Sequence, residues 1–247
     1  MSGIIVDKLG KSFLLRDSQR FVALDDVSFA AADGEFCCLV GPSGCGKSTV
    51  LNVIANLVAP DSGSIRFTSG PGKARIGYVF QKSRLLPWKS VRDNIALALQ
   101  GAGVKRDEWP ARIDHYLGMM GLDRFADEYP SALSGGMQQR VAIARAIAIE
   151  PDILLMDEPF GALDEFTARA ARRHLLRIWE ETHKTILFVT HNAFEAAYMA
   201  DRVLLFQAHP GRLVRTVSVD VPRPERALDE PRLIAVQKEI LATLGLE

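Results

Sequence analysis

The stretch Gly41-Pro42-Ser43-Gly44-Cys45-Gly46-Lys47-Ser48-Thr49 constrains this chain more than any other. It fits G-x-x-x-x-G-K-[ST], a spacing that lets a backbone wrap around phosphate. Its glycines remove the Cβ atoms that would block so tight a turn. The main-chain N–H groups then converge on an anion. In such a loop Lys47 reaches the β- and γ-phosphates and the Ser48 hydroxyl holds Mg²⁺. The flanks agree with this reading. Phe36 to Val40 is an unbroken apolar run, as a buried parallel strand requires. Val50, Val53, Ile54 and Leu57 recur at i, i+3, i+4 and i+7, a helix with one apolar face. The loop is therefore expected between a strand end and a helix N-terminus, where the helix dipole favours phosphate.

A chain of 247 residues suits one large domain, or one domain with an insert. Hydrophobic residues make up 48%, ample for a core. The formal charge is +0, from 30 basic and 30 acidic residues, so no global attraction draws it to nucleic acid or anionic membrane. No apolar run approaches the ~20 residues that span a bilayer. The start, Met-Ser-Gly-Ile-Ile-Val-Asp-Lys, has no signal-peptide architecture. Cys37, Cys38 and Cys45 lack zinc spacing; the first two read as core, and a reducing cytosol fits. Cys45, beside Lys47 at a helix N-terminus, is the thiol expected to react with alkylating reagents.

In chain order, Ile4-Ile5-Val6 and Ala23 to Phe29 read as strands flanking a polar loop. Phe13 and Phe21 lie between or beside them; either could be core or a platform for a purine. Pro60-Asp61-Ser62-Gly63 is a turn. Ser64 to Phe67 and Ile76 to Val79 are short strands around the loop Ser69-Gly70-Pro71-Gly72-Lys73. Gln81 follows the second of these and is a candidate ligand contact. Leu85-Leu86-Pro87-Trp88 reads as a packed or partner-facing loop. Val91 to Leu99, Trp109 to Gly118 and Leu122 to Asp127 read as helices inserted between strands. Ser134 in Leu133-Ser134-Gly135-Gly136 is placed to cap an Ala-rich helix running to Ile149. That helix start is either a simple cap or a second phosphate-binding terminus.

Ile153 to Met156 is a strand ending in Asp157-Glu158, carboxylates suited to magnesium and to a water nucleophile. A loop with Ala162-Leu163-Asp164 leads to a charged helix ending near Thr182. Thr185 to Thr190 is a strand ending at His191. Val203 to Phe206 and Leu213 to Val219 follow, then Pro222-Arg223-Pro224 and a terminal helix from Pro231 to Leu244. Lysine, hydroxyl, carboxylate pair and histidine thus all follow apolar strands. In an open parallel sheet, ligands bind beyond the carboxyl ends of the strands. Right-handed crossovers keep those ends on one edge.

With Leu133-Ser134-Gly135-Gly136 in register between the phosphate loop and Asp157-Glu158-Pro159, nearly the whole chain resembles the ATP-binding subunit of an ABC transporter. The resemblance implies an α/β fold: a P-loop NTPase, RecA-like core with a parallel sheet, an N-terminal antiparallel β subdomain and an inserted helical subdomain. It implies a single cassette over 1–247, with core about 1–81 and 151–217, helical insert about 82–150 and a tail about 218–247. It implies ATP and Mg²⁺, and a head-to-tail dimer that clamps each ATP between one copy's phosphate loop and the other's signature helix. Gly41, Pro42, Ser43, Gly44, Cys45, Gly46, Lys47, Ser48 and Thr49 would hold ATP, with Ser134, Gly135, Gly136, Gln138 and Asp164 of the interface. Gln81 resembles the glutamine that touches Mg²⁺ together with Ser48 and Asp157. Glu158 would be the catalytic carboxylate and His191 the switch histidine at the γ-phosphate. Phe13, in Lys11-Ser12-Phe13, aligns with the adenine-stacking aromatic; Phe21 is second choice.

Leu85-Leu86-Pro87-Trp88 with Val91-Arg92-Asp93-Asn94, and the tail, Pro210-Gly211-Arg212-Leu213 with Pro222-Arg223-Pro224, are similar to the nitrate/sulfonate/taurine importer branch. That resemblance implies membrane permease subunits, a solute-binding protein, no nucleic acid, and a place on the cytoplasmic face of the inner membrane. Asn192 stands where the family commonly has aspartate, and Met137 where it commonly has glutamine.

Overall fold

The computed structural model describes residues 2–14, 19–69, 74–161, 163–227 and 229–245. The loop positions Gly70-Pro71-Gly72-Lys73 and the loop residue Ala162 lie outside the described residues. The strands are β1 (Ile4–Leu14), β2 (Arg20–Ala31), β3 (Phe36–Val40), β4 (Ser62–Phe67), β5 (Ile76–Val79), β6 (Ile153–Asp157), β7 (Thr185–Thr190), β8 (Arg202–Gln207) and β9 (Arg212–Ser218). The α-helices are α1 (Lys47–Ile54), α2 (Val91–Gly101), α3 (Trp109–Met119), α4 (Gly135–Ala148), α5 (Glu165–Thr182), α6 (Ala193–Met199) and α7 (Pro231–Thr243). The chain divides into two compact units, residues 1–72 with 185–247, and residues 73–184.

In the first unit β1 pairs antiparallel with both β2 and β4. These strands run well past the apolar stretches that announced them. Register shifts between Val6 and Leu9, and again as far as Ser12, interrupt the alternation that marks a strand in sequence. Phe13 and Phe21, flanking the polar loop in the sequence reading, are cross-strand partners in this hairpin. The central strand β3 is buried at every residue. It pairs parallel with β7 on one side and β8 on the other, and β9 closes antiparallel against β8. Leu57, assigned by its spacing to the helix after the phosphate loop, is outside it and 58% exposed. The helix ends because Asn56 turns to a left-handed φ of 57°, and the Leu57 N–H closes back on the Asn52 carbonyl.

The tail is tied into this unit by main-chain contacts. The buried Arg226 guanidinium donates to the carbonyls of Val221, Tyr198 and Ala200 at 2.8–2.9 Å, and more weakly to Val219 at 3.4 Å. Burial, with Arg223 nearby, pushes its pKa down to about 10, so it stays charged at neutral pH. Arg223 pairs with Asp201 at 2.7 Å, and Asp201 in turn accepts from the Phe36 N–H at the start of β3.

In the second unit β5 and β6 pair parallel, from Ile76 opposite Ile153 to Val79 opposite Met156. Eight of the fourteen residues of helix α4 are buried, and α2 and α3 pack on it. Its alanines let those helices approach closely. The helix expected over Leu122 to Asp127 is only a 3-10 turn, Asp123–Phe125. Ser90 caps α2 by accepting from the Asp93 N–H. Asn94, 1% exposed, is the hub of the preceding loop. Its Oδ1 accepts from the Leu86 N–H at 2.8 Å. Its Nδ2 lies within 3.2 Å of the carbonyls of Leu86, Lys89 and Ser90. One buried amide thus fixes the shape of Leu85-Leu86-Pro87-Trp88.

Asn94→Ala is expected to lower unfolding stability by about 2–3 kcal/mol, since buried main-chain groups lose their partners. Asn94→Asp is expected to cost more than alanine, because a carboxylate would face three carbonyls. Urea denaturation of the two variants checks the order; an aspartate variant as stable as wild type overturns this role.

Candidate functional site

The register of the parallel strands decides which chemical groups become neighbours. In the first unit Val40 lies opposite Thr190, so the phosphate loop and His191 leave adjacent strands at the same edge. In the second unit Val79 lies opposite Met156, so Phe80-Gln81 and Asp157-Glu158 leave adjacent strands together.

Within the phosphate loop Gly46 is the N-cap of α1 with φ 91°, a conformation side chains rarely adopt. A Cβ there would also lie 2.5 Å from Leu24 Cδ2 and 2.8 Å from the Ala23 carbonyl, so β2 forms the floor of the loop. A Cβ on Gly44, by contrast, meets nothing within 4 Å: that side of the loop is open. No side chain caps α1, and no acid stands in its first turn. These are the conditions under which a helix start takes an anion. The Lys47 ammonium sits in the ring of the loop, 2.7 Å from the Gly41 carbonyl, 3.0 Å from that of Pro42 and 3.6 Å from Cys45 Sγ. A lysine has three donors, and here each has a partner inside the loop.

His191 is exposed, at a turn pinned from both sides. The Thr190 hydroxyl donates to the buried Glu195 carboxylate at 2.7 Å and accepts from the Asn192 N–H at 3.0 Å. Asn192 Oδ1 accepts from the N–H groups of Phe194 and Glu195, capping α6. This helix was missed in the sequence, although Asn192 followed three residues on by Glu195 is a helix-start pattern. At seven residues it is too short for its buried side, Ala193, Ala196 and Ala197, to stand out as a helical period. Phe13 is 39% exposed, with Lys11 Nζ 5.5 Å above its ring. Its cross-strand partner Phe21 makes an edge contact with His209, centroids 6.1 Å apart.

In the second unit Asp157 ends β6 and is 8% exposed. Glu158 follows with φ 43°, a strained position for a side chain of its kind. Gln81 Nε2 donates to Glu158 Oε2 at 3.1 Å, so two separately inferred site residues meet. The Tyr78 phenol pKa is pushed up by burial and then by the Asp157 carboxylate. Ser134 caps α4 through the Met137 N–H, and Gly135 is exposed at the open end of that helix. Gln138, expected at the nucleotide, uses its amide within the unit: it accepts from Ser83 and donates to the carbonyls of Pro130 and Leu133. It holds the segment that presents Ser134. Asp164 caps α5 by accepting from the Thr167 N–H and hydroxyl, and those bonds hold its carboxyl below the ordinary range.

The sequence profile of the ABC transporter family matches residues 24–161. The taurine import ATP-binding protein TauB of Rhizobium johnstonii is 48% identical over 222 residues, covering 88% of this chain and 84% of its own length. The nitrate import ATP-binding protein NrtD of Synechococcus elongatus is 42% identical over 245 residues, covering 95% and 89%. A dimeric ATP-binding cassette solved in a post-hydrolysis state with ADP and Pi superposes with a TM-score of 0.78 at 32% identity, covering 89% of this chain and all of that one. The chain belongs to the ABC transporter family. It is an ATP-hydrolysing subunit of that family's transporters, in the branch that holds the nitrate and taurine import proteins. Its fold is the family's α/β P-loop cassette with an antiparallel β subdomain. No helix among the described residues is long and apolar enough to cross a membrane.

Asn192, which stands where the family commonly has aspartate, does that residue's capping work, and the two are equivalent as N-caps. Cys45 corrects the reactivity expected from its neighbours. It is 0% exposed, like Cys37 and Cys38, with Sγ turned into the loop toward Lys47. Burial also pushes the Cys37 and Cys38 thiols up. Brief maleimide treatment of the native protein is expected to leave all three cysteines unmodified, with labelling appearing in denaturant. Peptide mass mapping reads it; selective native labelling of Cys45 overturns the burial account.

Proposed function

We propose that this subunit couples ATP hydrolysis to uptake of a small solute through a partner permease. The observation that carries the reading is the bond between Gln81 and Glu158. It joins the residue of the Q-loop position to the carboxylate best suited to activate water. In this reading the phosphate loop, Gly41 to Thr49, holds the phosphates by its main-chain N–H groups and Lys47. Glu158 orients the attacking water and takes its proton, and His191 lies at the γ-phosphate. Phe13 stacks on adenine. Ser48, Gln81 and Asp157 would hold Mg²⁺, a hydroxyl, amide and carboxylate oxygen set of the kind this hard cation takes. Bound there, the ion would neutralise charge on the transferring phosphate.

A second copy, head to tail, supplies Ser134, Gly135, Gly136 and Asp164 to the same nucleotide; Gln138 supports them. The open start of α4 beside Gly135 supports this role. The helical insert spans about 82–150, between core segments of about 1–81 and 151–217, with the tail from about 218. Trp88 is 70% exposed on the loop that Asn94 fixes. An ordered, exposed apolar loop is suited to a partner surface. We assign Leu85, Leu86 and Trp88 to the permease contact. The assembly lies on the cytoplasmic face of the inner membrane, and a solute-binding protein delivers the cargo. The names of the relatives support a nitrate-, sulfonate- or taurine-like solute.

Glu158→Gln is expected to bind ATP while turnover falls by ~10²–10⁴-fold. The ATP-bound dimer should then accumulate on size exclusion with Mg-ATP; near-normal hydrolysis removes Glu158 from its role. Trp88→Ala is expected to weaken permease binding by at least about tenfold. Basal ATPase of the free subunit should change little; loss of folding or of ATP binding instead would place Trp88 in a structural role.

A further inference from the structure

A cavity of about 320 Å³ opens in the second unit, apart from every residue assigned above. Its walls are Gly118, Met119 and Gly121, at the end of α3, and His174, Arg177 and Glu181 from α5. The α5 residues recur at i, i+3 and i+7, so one helix face supplies them all. The volume falls in the range of small-molecule sites.

Its polar groups are unfinished. His174 Nδ1 is buried with no hydrogen-bond partner, and so is Arg140 Nε. Buried polar atoms left unpaired are rare and call for an explanation such as a bound ion or molecule. Arg140 lies beneath the turn, with Nη1 3.6 Å from where a Gly121 Cβ would be, and donates to the Met120 carbonyl at 2.7 Å. The side chains of Arg177 and Glu181 make no hydrogen bond or ion pair among the described residues. The carbonyls at the end of α3 are occupied: Gly118 accepts from Gly121, and Leu117 accepts from Leu122.

The charge balance selects the ligand. The His174 pKa is lowered by burial first, then by Arg177, Arg140 and Arg173. Three guanidinium groups therefore act on this corner, against Glu181 at the rim and Asp123, whose Oδ1 lies 3.0 Å from where a Gly118 Cβ would be. An acceptor-rich anion answers both the excess positive charge and the unpaired imidazole nitrogen. Arginine grips planar and tetrahedral oxoanions through paired N–H donors.

We propose that this cavity is a binding site for a small oxoanion, a sulfate-, sulfonate- or carboxylate-sized group held by Arg177 and His174. An anion there offsets the arginines and favours protonated His174. Binding and protonation are thereby linked: the anion raises the titration midpoint of His174, and it binds more tightly as pH falls.

Sodium sulfate is the probe, against sodium chloride at matched ionic strength. The protein is first saturated with Mg-ADP, so that the phosphate loop is filled. The His174 imidazole resonance, assigned with His174→Gln, is followed by NMR through a pH titration. A saturable, sulfate-specific rise in its midpoint is expected. Arg177→Ala should weaken sulfate binding by at least about tenfold, the loss of a charge-assisted bond. Arg177→Lys should fall between the two. No sulfate-specific change at His174, a change that follows ionic strength alone, or an equal response in folded Arg177→Ala overturns the proposal.

Discussion

Parallel pairing in register is the constraint on which the rest depends. Hydrogen bonds between β3 and β7 place Val40 opposite Thr190, and those between β5 and β6 place Val79 opposite Met156. The last paired residues are level, so the segment that leaves each strand emerges beside its neighbour's. A one-residue slip would turn the side chains of a strand to the opposite face. Complete burial of β3, β6 and β7 makes such a slip costly, because it would displace packing on both faces. Apolar strand interiors therefore set the position of polar residues that take no part in the core.

The same device recurs at the ends of four segments. Ser90, Ser134, Asp164 and Asn192 each leave the helical conformation, and each accepts main-chain N–H groups of the helix it begins. Each lies in or beside a segment to which the proposed function assigns a contact: the Trp88 loop, the signature, the dimer loop and the switch histidine. A cap fixes both the direction of its helix and the turn before it. The phosphate loop differs: its cap is Gly46, and no side chain takes the first N–H groups of α1, which the proposed function leaves to phosphate.

Much of this was legible in the sequence, for physical reasons. The phosphate loop, the carboxylate pair and His191 each follow an apolar run of strand length, so period and position agreed. Ser134 as a cap could be read from the small polar residue before an Ala-rich helix. What could not be read depended on distant chain. Cys45 looked reactive because its sequence neighbours are Lys47 and a helix start. It is buried in a loop packed on Leu24, Phe206 and Gly211, which arrive from other strands and turns. The extensions of β1 and β2 were hidden by register shifts, and α6 by its shortness. Gln138 was placed by its motif at the nucleotide, while its hydrogen bonds go to Ser83, Pro130 and Leu133.

The ammonium of Lys47, held by the carbonyls of Gly41 and Pro42, has a consequence for the working cycle. In the proposed role of Lys47 these carbonyls compete with phosphate for the ammonium. The net gain on binding is smaller than the gross attraction between lysine and phosphate, because one set of bonds is traded for another. The same competitor is present when products leave, ready to reclaim the ammonium as phosphate departs. A loop built this way trades tightness of grip for ease of reset, the property a machine needs if it is to fire repeatedly.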